Sequence, residues 1–226
     1  MREKEQISRF SEAPWMQKID HVLTVGGAGG IGSWLLLFLS RASFYKEIYL
    51  YEMDTIDQTN LAGQFFHKGQ IGLMKSDAIR NNMEMFSNYS SMNILGKFEP
   101  GSMVSPICLC GFDNMKARRD MFNAWKELPD RELYIDGRLL MEDGQVYAVT
   151  KGKEKQYEAT LFDDSELADA KCSMKATTHS GAHIASIMMA VLTNYLSNAY
   201  YYHDYIREVP FSYIFSFVPM LIEVNV

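Results

Sequence analysis

A glycine-rich turn between a strand pattern and a helix pattern most constrains the fold of this 226-residue chain. Residues 21–25 (His-Val-Leu-Thr-Val) predict a short buried strand, a GxGxxG turn begins at Gly27, and residues 34–43 predict an apolar helix. A second strand pattern follows at 47–52. Such a strand–helix–strand unit needs two parallel strands joined by a right-handed crossover, so the sequence predicts a parallel α/β sheet.

The same turn indicates a nucleotide site. Gly27 permits the tight turn, Gly29 lets the backbone approach a phosphate, and Gly32 allows close helix–strand packing. The helix that follows offers unpaired N–H groups and the positive end of its dipole. Glu52 ends the second strand, where its carboxylate can accept hydrogen bonds from ribose hydroxyls and disfavours a 2′-phosphate. The turn alone favours NAD or FAD before ATP, and a glycine-rich turn without a ligand is the remaining alternative.

The remaining patterns complete an α/β architecture. They predict helices near 5–18, 75–86, 114–126 and 178–199, and strands near 92–98, 105–110, 133–136, 145–150 and within 212–226. We expect strand 145–150 to have an antiparallel neighbour. The sequence therefore predicts one domain over 1–226, a Rossmann-like three-layer sandwich whose mostly parallel sheet has antiparallel strands in its C-terminal half.

Composition argues against several function classes. The 22 Lys and Arg against 28 Asp and Glu give a net charge of −6, whereas non-specific nucleic-acid binding needs a basic surface. The longest apolar run, 34–39, is far shorter than the about 20 residues that span a bilayer, and the charged N-terminus does not resemble a signal peptide. Three cysteines without a CxxC pair favour neither a disulfide framework nor a zinc site. We expect a cytoplasmic protein that binds neither nucleic acid nor membranes.

Five ordered motifs resemble those of the ThiF/MoeB and ubiquitin-activating family of adenylyltransferases. They are the glycine loop with its trailing Ser33, residues 52–64 with an Asn-Leu-Ala-Gly-Gln variant, residues 71–75, residues 111–114 with Arg118, and Cys172 before the long helix. The resemblance runs from about residue 9 to residue 196 and is nearest to stand-alone bacterial and phage members. It implies attack of a carboxylate on the α-phosphate of ATP, giving an acyl-adenylate and pyrophosphate, with Mg²⁺ as cofactor.

The resemblance assigns roles to individual residues. The nucleotide-binding set comprises Gly27, Gly29, Gly30, Gly32, Glu52, Asp54, Asn60, Gln64 and Lys75. Within it, Asn60 and Gln64 would donate to the phosphates as neutral groups, and Lys75 would place an ammonium on them. Asp113 would bind Mg²⁺, although the same residue could instead cap the helix 114–126.

One departure from the family concerns catalysis. Gly63 stands where the family usually has an arginine that stabilises charge on the transferring phosphates, and losing such a group can cost several kcal/mol. Either another cation substitutes, or the enzyme is slow or inactive. The candidates are Arg9, which could equally be an ordinary surface residue, and after it Arg118 and Arg119.

Cys172 stands where many family members carry the cysteine that accepts the activated acyl group. Nearby basic side chains and the following helix dipole could lower the pKa of its thiol, whereas an inert, half-buried thiol is the alternative. Cys108 and Cys110 lie in an apolar strand and are interpreted as core residues. His179 and His183 lie four apart on the long helix and are better explained by capping and packing than by metal binding.

These observations predict an ATP-dependent adenylyltransferase that activates the C-terminus of a ubiquitin-like or sulfur-carrier protein or of a peptide. The resemblance also implies a homodimer. Two other functions stay open. An NAD-dependent oxidoreductase could use the same glycine loop, but it leaves Asn60, Gln64, Lys75 and Asp113 unexplained. A catalytically inactive nucleotide-binding scaffold would account for Gly63.

Overall fold

The computed structural model describes residues 20–42, 45–86, 91–140, 142–163, 178–200 and 205–226. In these ranges the strands are β1 (Val22–Gly26), β2 (Glu47–Tyr51), β3 (Met92–Ile94), β4 (Ile107–Cys110), β5 (Leu133–Leu140), β6 (Asp143–Thr150), β7 (Ser212–Phe217) and β8 (Met220–Asn225). The α-helices are α1 (Gly32–Ser40), α2 (Lys75–Phe86), α3 (Met115–Lys126), α4 (Glu154–Glu158) and α5 (Thr178–Tyr200). Two 3-10 turns cover Gln58–Ala62 and Lys68–Gln70.

The strands form one sheet in the order β3-β2-β1-β4-β5-β6-β7-β8. The first five strands in this order are parallel, and β6, β7 and β8 join them by antiparallel pairing. The predicted Rossmann-like sheet with antiparallel C-terminal strands is therefore confirmed. Chain order reverses at β1, which lies between β2 and β4, and open α/β sheets bind ligands at the carboxyl ends of such strands.

Helices cover both faces of the sheet. Side chains alternate between the faces along each strand, so that Leu109 of β4 packs with α1, α2 and α5, while Cys108 and Cys110 pack with α3 and α4. The two cores therefore lie on opposite faces of the sheet, and the three-layer arrangement is confirmed. Over the part of the chain that the structure describes, we find no helix with the length and apolar character needed to cross a membrane.

Some predicted boundaries differ from the observed ones. Helix α1 begins at Gly32 rather than at residue 34, because the N–H of Ser33 already donates to the carbonyl of Gly29 in helical fashion. Strand β5 runs on to Leu140 instead of ending at 136, because its second half pairs antiparallel with β6. The short helix α4 was not predicted, and the expected helix at 5–18 lies outside the described residues.

Candidate nucleotide site

A cavity of about 440 Å³ lies at the carboxyl ends of β1, β2, β3 and β4. Its wall comes from the glycine loop after β1, residues 52–54 after β2, residues 96–98 after β3 and residues 111–114 after β4. Gln64, Lys75 at the start of α2, and residues of the first two turns of α3, including Asp120, complete it. This is the place where a doubly wound sheet binds nucleotides.

The three glycines of the pattern meet different constraints. Gly27 has φ +86°, which favours glycine, and its N–H donates to the carbonyl of Tyr51 at 2.9 Å. A Cβ on Gly32 would lie 1.9 Å from the carbonyl oxygen of Gly27, so no side chain fits there. A Cβ on Gly29 would meet only the Nε2 of Gln64, at 4.0 Å, beside the cavity. Gly27 and Gly32 are thus required by the turn itself, whereas Gly29 keeps the cavity open.

The glycine loop is also held from the side of α5. A Cβ on Gly181, in the first turn of that helix, would lie 2.3 Å from the carbonyl oxygen of Gly30. The backbone of α5 at Gly181 therefore packs directly against the backbone of Gly30 in the cavity wall.

The carboxylate of Glu52 ties the ends of β1 and β2 together. Its Oε2 accepts a hydrogen bond from the N–H of Ala28 at 2.7 Å, and its Oε1 accepts from the N–H groups of Met53 and Asp54 at 2.8 Å. The side chain is buried but lines the cavity. Because a carboxylate has about four acceptor positions, these three amides leave capacity for a ribose hydroxyl. The ribose contact itself stays a prediction.

Lys75 begins α2 and is oriented at the cavity wall by Asp54. Its Nζ lies 3.0 Å from Oδ2 of Asp54, and its backbone N–H donates to the carbonyl of the same residue at 2.8 Å. The lysine side chain is 9% exposed and that of Asp54 is 56% exposed. An ammonium has three N–H donors and can hold this carboxylate together with a phosphate oxygen. The structure thus places both predicted residues in one wall.

The loop after β2 brings Gln64, but not Asn60, to the cavity. Asp57 caps the 3-10 turn Gln58–Ala62, and Oδ1 of Asn60 accepts in return from the N–H of Asp57 at 2.9 Å. Gln64 lines the cavity, and its Oε1 is buried without a hydrogen-bond partner among the described residues. Its neighbour Gly63 is positioned by α1, because the Nε1 of Trp34 donates to its carbonyl at 3.1 Å. The predicted phosphate contact of Asn60 is not part of this geometry and stays a prediction.

Asn114, and not Asp113, caps α3. Oδ1 of Asn114 accepts from the N–H of Ala117 at 2.8 Å, so the alternative interpretation of Asp113 as the cap is wrong. Asp113 is exposed at the cavity wall, where its Oδ1 accepts from Nδ2 of Asn114 at 3.2 Å. No group of three or more His, Cys, Asp or Glu side chains able to hold a metal occurs among the described residues. A single carboxylate still suits Mg²⁺, which commonly binds one or two carboxylates together with phosphate oxygens and water.

Arg118 and Arg119 do not face the cavity, which corrects their prediction as replacement cations. The guanidinium of Arg118 is buried and donates to the carboxylate of Asp136 and to the carbonyl of Phe112. Arg119 points elsewhere and donates to the carbonyl of Phe162 at 3.2 Å. Arg118 therefore holds the backbone of Phe112, a residue of the cavity wall, without facing the cavity itself.

Asp136 lies between two arginines in the core. Its Oδ2 accepts from Nε of Arg138 at 2.6 Å and from the hydroxyl of Tyr157 at 2.9 Å, and Arg118 binds its other oxygen. Burial raises the pKa of the Asp136 carboxyl, but the two guanidinium groups outweigh burial and hold that pKa below its ordinary value. The spacing of Asp136 and Arg138 on one face of a strand was the sequence signal for this cluster.

Two further lysines line the cavity and were not predicted. Lys97 follows β3, and Lys116 lies in the first turn of α3. The position of Lys116 within the helix predicted for 114–126, three residues after Asp113, was the available signal.

The cysteines divide into two groups. Cys108 and Cys110 are fully buried, as predicted, and burial raises the pKa of both thiols, that of Cys110 to about 12. Arg9 and Cys172 lie outside the described residues, so their roles stay predictions.

The two histidines of α5 lie against β7. His183 packs edge-on against Phe215, with ring centroids 4.6 Å apart, and burial lowers its pKa. The ring of His179 lies 5.3 Å from that of Phe217. These contacts agree with the interpretation of both residues as packing residues.

Comparisons with known proteins concern the family and the fold. A model of the ThiF family matches residues 4–208. Crystal structures of E. coli MccB with succinimide (TM-score 0.69, 15% identity) and with ATP (TM-score 0.66, 14% identity) each cover 91% of this chain. A structure of PaaA covers 94% of it (TM-score 0.69, 14% identity). The chain spans only 63–64% of these proteins, and at such identities the likeness concerns the fold alone. Comparison with curated proteins gives no significant match.

Proposed function

Because this chain belongs to the ThiF family, we propose that it is an ATP-dependent adenylyltransferase that activates a carboxylate as an acyl-adenylate. One observation carries the proposal: the glycine loop, Glu52, Lys75 and Asp113 face a single cavity at the point where the strand order reverses. Side chains and backbone groups able to bind sugar, phosphate and metal thereby line one cavity. In this proposal Glu52 accepts hydrogen bonds from the ribose hydroxyls.

In the proposed complex the chain's own groups position the nucleotide. The N–H groups of the glycine loop and the first turn of α1 face the phosphates, where the positive end of the helix dipole favours anions. Lys75, held in place by Asp54, supplies an ammonium on one side. A carboxylate oxygen of the substrate attacks the α-phosphorus, the bond to the β-phosphate oxygen breaks, and pyrophosphate leaves. Positioning and neutralisation of charge are the main contributions that a protein makes to such a reaction.

Asp113 is the proposed Mg²⁺ ligand. Its carboxylate is exposed at the end of β4 and is not needed as a helix cap, since Asn114 fulfils that function. Mg²⁺, when bound, would neutralise charge on the triphosphate and on the leaving pyrophosphate. Asp113 would hold it against the phosphates.

We propose the C-terminus of a ubiquitin-like or sulfur-carrier protein, or of a peptide, as the substrate. Support comes from E. coli MccB, whose structures have been solved with ATP and with MccA. We further propose that the enzyme acts as a cytoplasmic homodimer and that the acyl group passes to Cys172. In that step the thiolate attacks the acyl carbonyl, AMP leaves, and a thioester forms.

A second candidate is a catalytically inactive nucleotide-binding scaffold. It is favoured by Gly63, which brings no side chain to the position where the family usually has an arginine, and by the burial of Arg118 away from the cavity. Such a scaffold would bind ATP without releasing pyrophosphate.

Incubation with Mg²⁺, radiolabelled ATP and candidate carrier proteins or peptides tests both candidates. We expect labelled acyl-AMP and pyrophosphate from the wild type, loss of both in Lys75→Ala and Asp113→Ala, and acyl-AMP without a thioester in Cys172→Ala. Lys68→Ala is the matched control, because Lys68 is exposed and lies outside the cavity wall. Acyl-AMP formation by a folded Lys75→Ala variant at the wild-type rate would contradict the assigned role, and tighter binding of NAD than of ATP would favour an oxidoreductase.

A further inference from the structure

We propose that Lys116 contacts the phosphates of the bound nucleotide and supplies the positive charge that Gly63 does not. This inference rests on the proposed function and deepens it, because it names a further residue of the same site. It starts from the position of Lys116 in the cavity wall, in the first turn of α3.

The strand order defines the two ends of the cavity. Its wall is formed after β3, β2, β1 and β4, in that spatial order, and neighbouring strands lie about 4.8 Å apart. A nucleotide with its ribose at Glu52, after β2, and its phosphates at the glycine loop, after β1, runs towards β4 at its phosphate end. Its base then lies towards β3. A side chain that follows β4 is therefore placed to meet the terminal phosphates.

The other lysines of the wall are placed differently. Lys97 follows β3, three strand spacings or about 14 Å from β4, and its Nζ lies 3.5 Å from Glu99. Lys75 begins α2 and is held by Asp54, on the side of β2. Among the described residues of the cavity wall, Lys116 is the cation that follows β4.

The local electrostatics of Lys116 are compatible with an anionic ligand. A lysine in the first turn of a helix faces the positive end of the helix dipole, which disfavours it. Its Nζ lies 2.6 Å from Oδ2 of Asp120, one turn later and also in the cavity wall; the lysine side chain is 74% exposed and that of Asp120 is 20% exposed, so water screens the ammonium and limits what the pair contributes to stability. A phosphate carries more negative charge than one carboxylate, and an ammonium can donate to both at once.

The test compares the dissociation constants of ATP and AMP, each with Mg²⁺, by isothermal titration calorimetry. In Lys116→Met we expect the preference for ATP over AMP to fall about tenfold, the effect of losing one charge-assisted hydrogen bond, with the Kd of AMP unchanged. Lys116→Arg should keep the preference because it keeps the charge. Lys97→Met should change both Kd values by the same factor, and Lys126→Met, on the same helix outside the cavity, should change neither.

The salt dependence of the ATP preference is a second measurement. A purely structural role of Lys116 would not make this dependence differ between the wild type and Lys116→Met. Raising the ionic strength from about 0.05 M to about 0.3 M should reduce the ATP preference of the wild type more than that of Lys116→Met. An unchanged ATP-to-AMP ratio in Lys116→Met, or equal loss of both nucleotides, overturns the inference and leaves the proposed function standing. Failure of the wild type to bind ATP refutes the proposed function, and the inference with it.

Discussion

Replacing Gly32 by alanine tests whether close packing inside the glycine loop requires a glycine at this position. The added Cβ would lie 1.9 Å from the carbonyl oxygen of Gly27, about 1.5 Å short of the 3.4 Å at which ordinary contact begins. Movement of Gly27 is opposed because its N–H donates to the carbonyl of Tyr51 at 2.9 Å. The loop must therefore shift as a unit or lose that hydrogen bond.

The expected cost is about 3 kcal/mol of unfolding free energy. Forcing a methyl group into a packed site costs on the order of 1–3 kcal/mol, and leaving a buried N–H unpaired costs a similar amount. Part of this is offset by alanine's better helix propensity at the start of α1, about 1 kcal/mol. For a chain of this size, the net loss corresponds to a decrease in Tm on the order of 10 °C.

Two matched alanine variants distinguish an effect on stability from an effect on ATP binding. Gly63→Ala meets nothing within 4 Å and should change the Tm by no more than about 2 °C. Gly29→Ala meets only Gln64, at 4.0 Å, so it should remain as stable but lose ATP affinity, because its methyl group occupies the place of a phosphate. Urea denaturation and calorimetric ATP titration measure the two effects. A Gly32→Ala variant as stable as Gly63→Ala would refute the reasoning.

Three further outcomes are expected. Gly63→Arg should increase pyrophosphate release about tenfold or more with the same carboxylate substrate, since the position has room for a side chain; an unchanged rate would contradict this. Asp136→Asn should lower the unfolding free energy in urea by about 3 kcal/mol at pH 7. Because the folded pKa of Asp136 is lowered, this difference should shrink as the pH falls below about 4, and a constant difference would argue against it. Cys108 and Cys110 should not react with a thiol reagent at pH 8 until the protein unfolds, because burial raises both pKa values.

Local patterns predicted most of the fold. The glycine loop between β1 and α1, the helix α2 beginning at Lys75 and the long helix α5 follow from periodicity and from neighbours within a few residues. The second half of β5, residues 137–140, was not predicted. These residues form a strand because they pair with β6, and that pairing depends on tertiary structure.

The sequence predicted where the site residues stand in the fold better than it predicted which groups their side chains contact. The sequence predicted Glu52 at the end of a strand, Lys75 at the start of a helix and Asp113 just after a strand, and all three line the cavity. It offered Asp113 as a possible cap, whereas Asn114 is the cap, because both residue types are good N-caps and the backbone conformation at Asn114 decides. It also could not reveal that Arg118 binds Asp136, a residue that only the folded sheet brings beside it.

The contact between Gly181 and Gly30 makes the nucleotide loop mechanically dependent on a distant part of the chain. With no side chain on either residue to absorb a displacement, a small slide of α5 would be passed directly to the carbonyl of Gly30. If the cavity binds ATP as proposed, we therefore expect substitutions on α5 that displace Gly181 to change its affinity without touching the nucleotide.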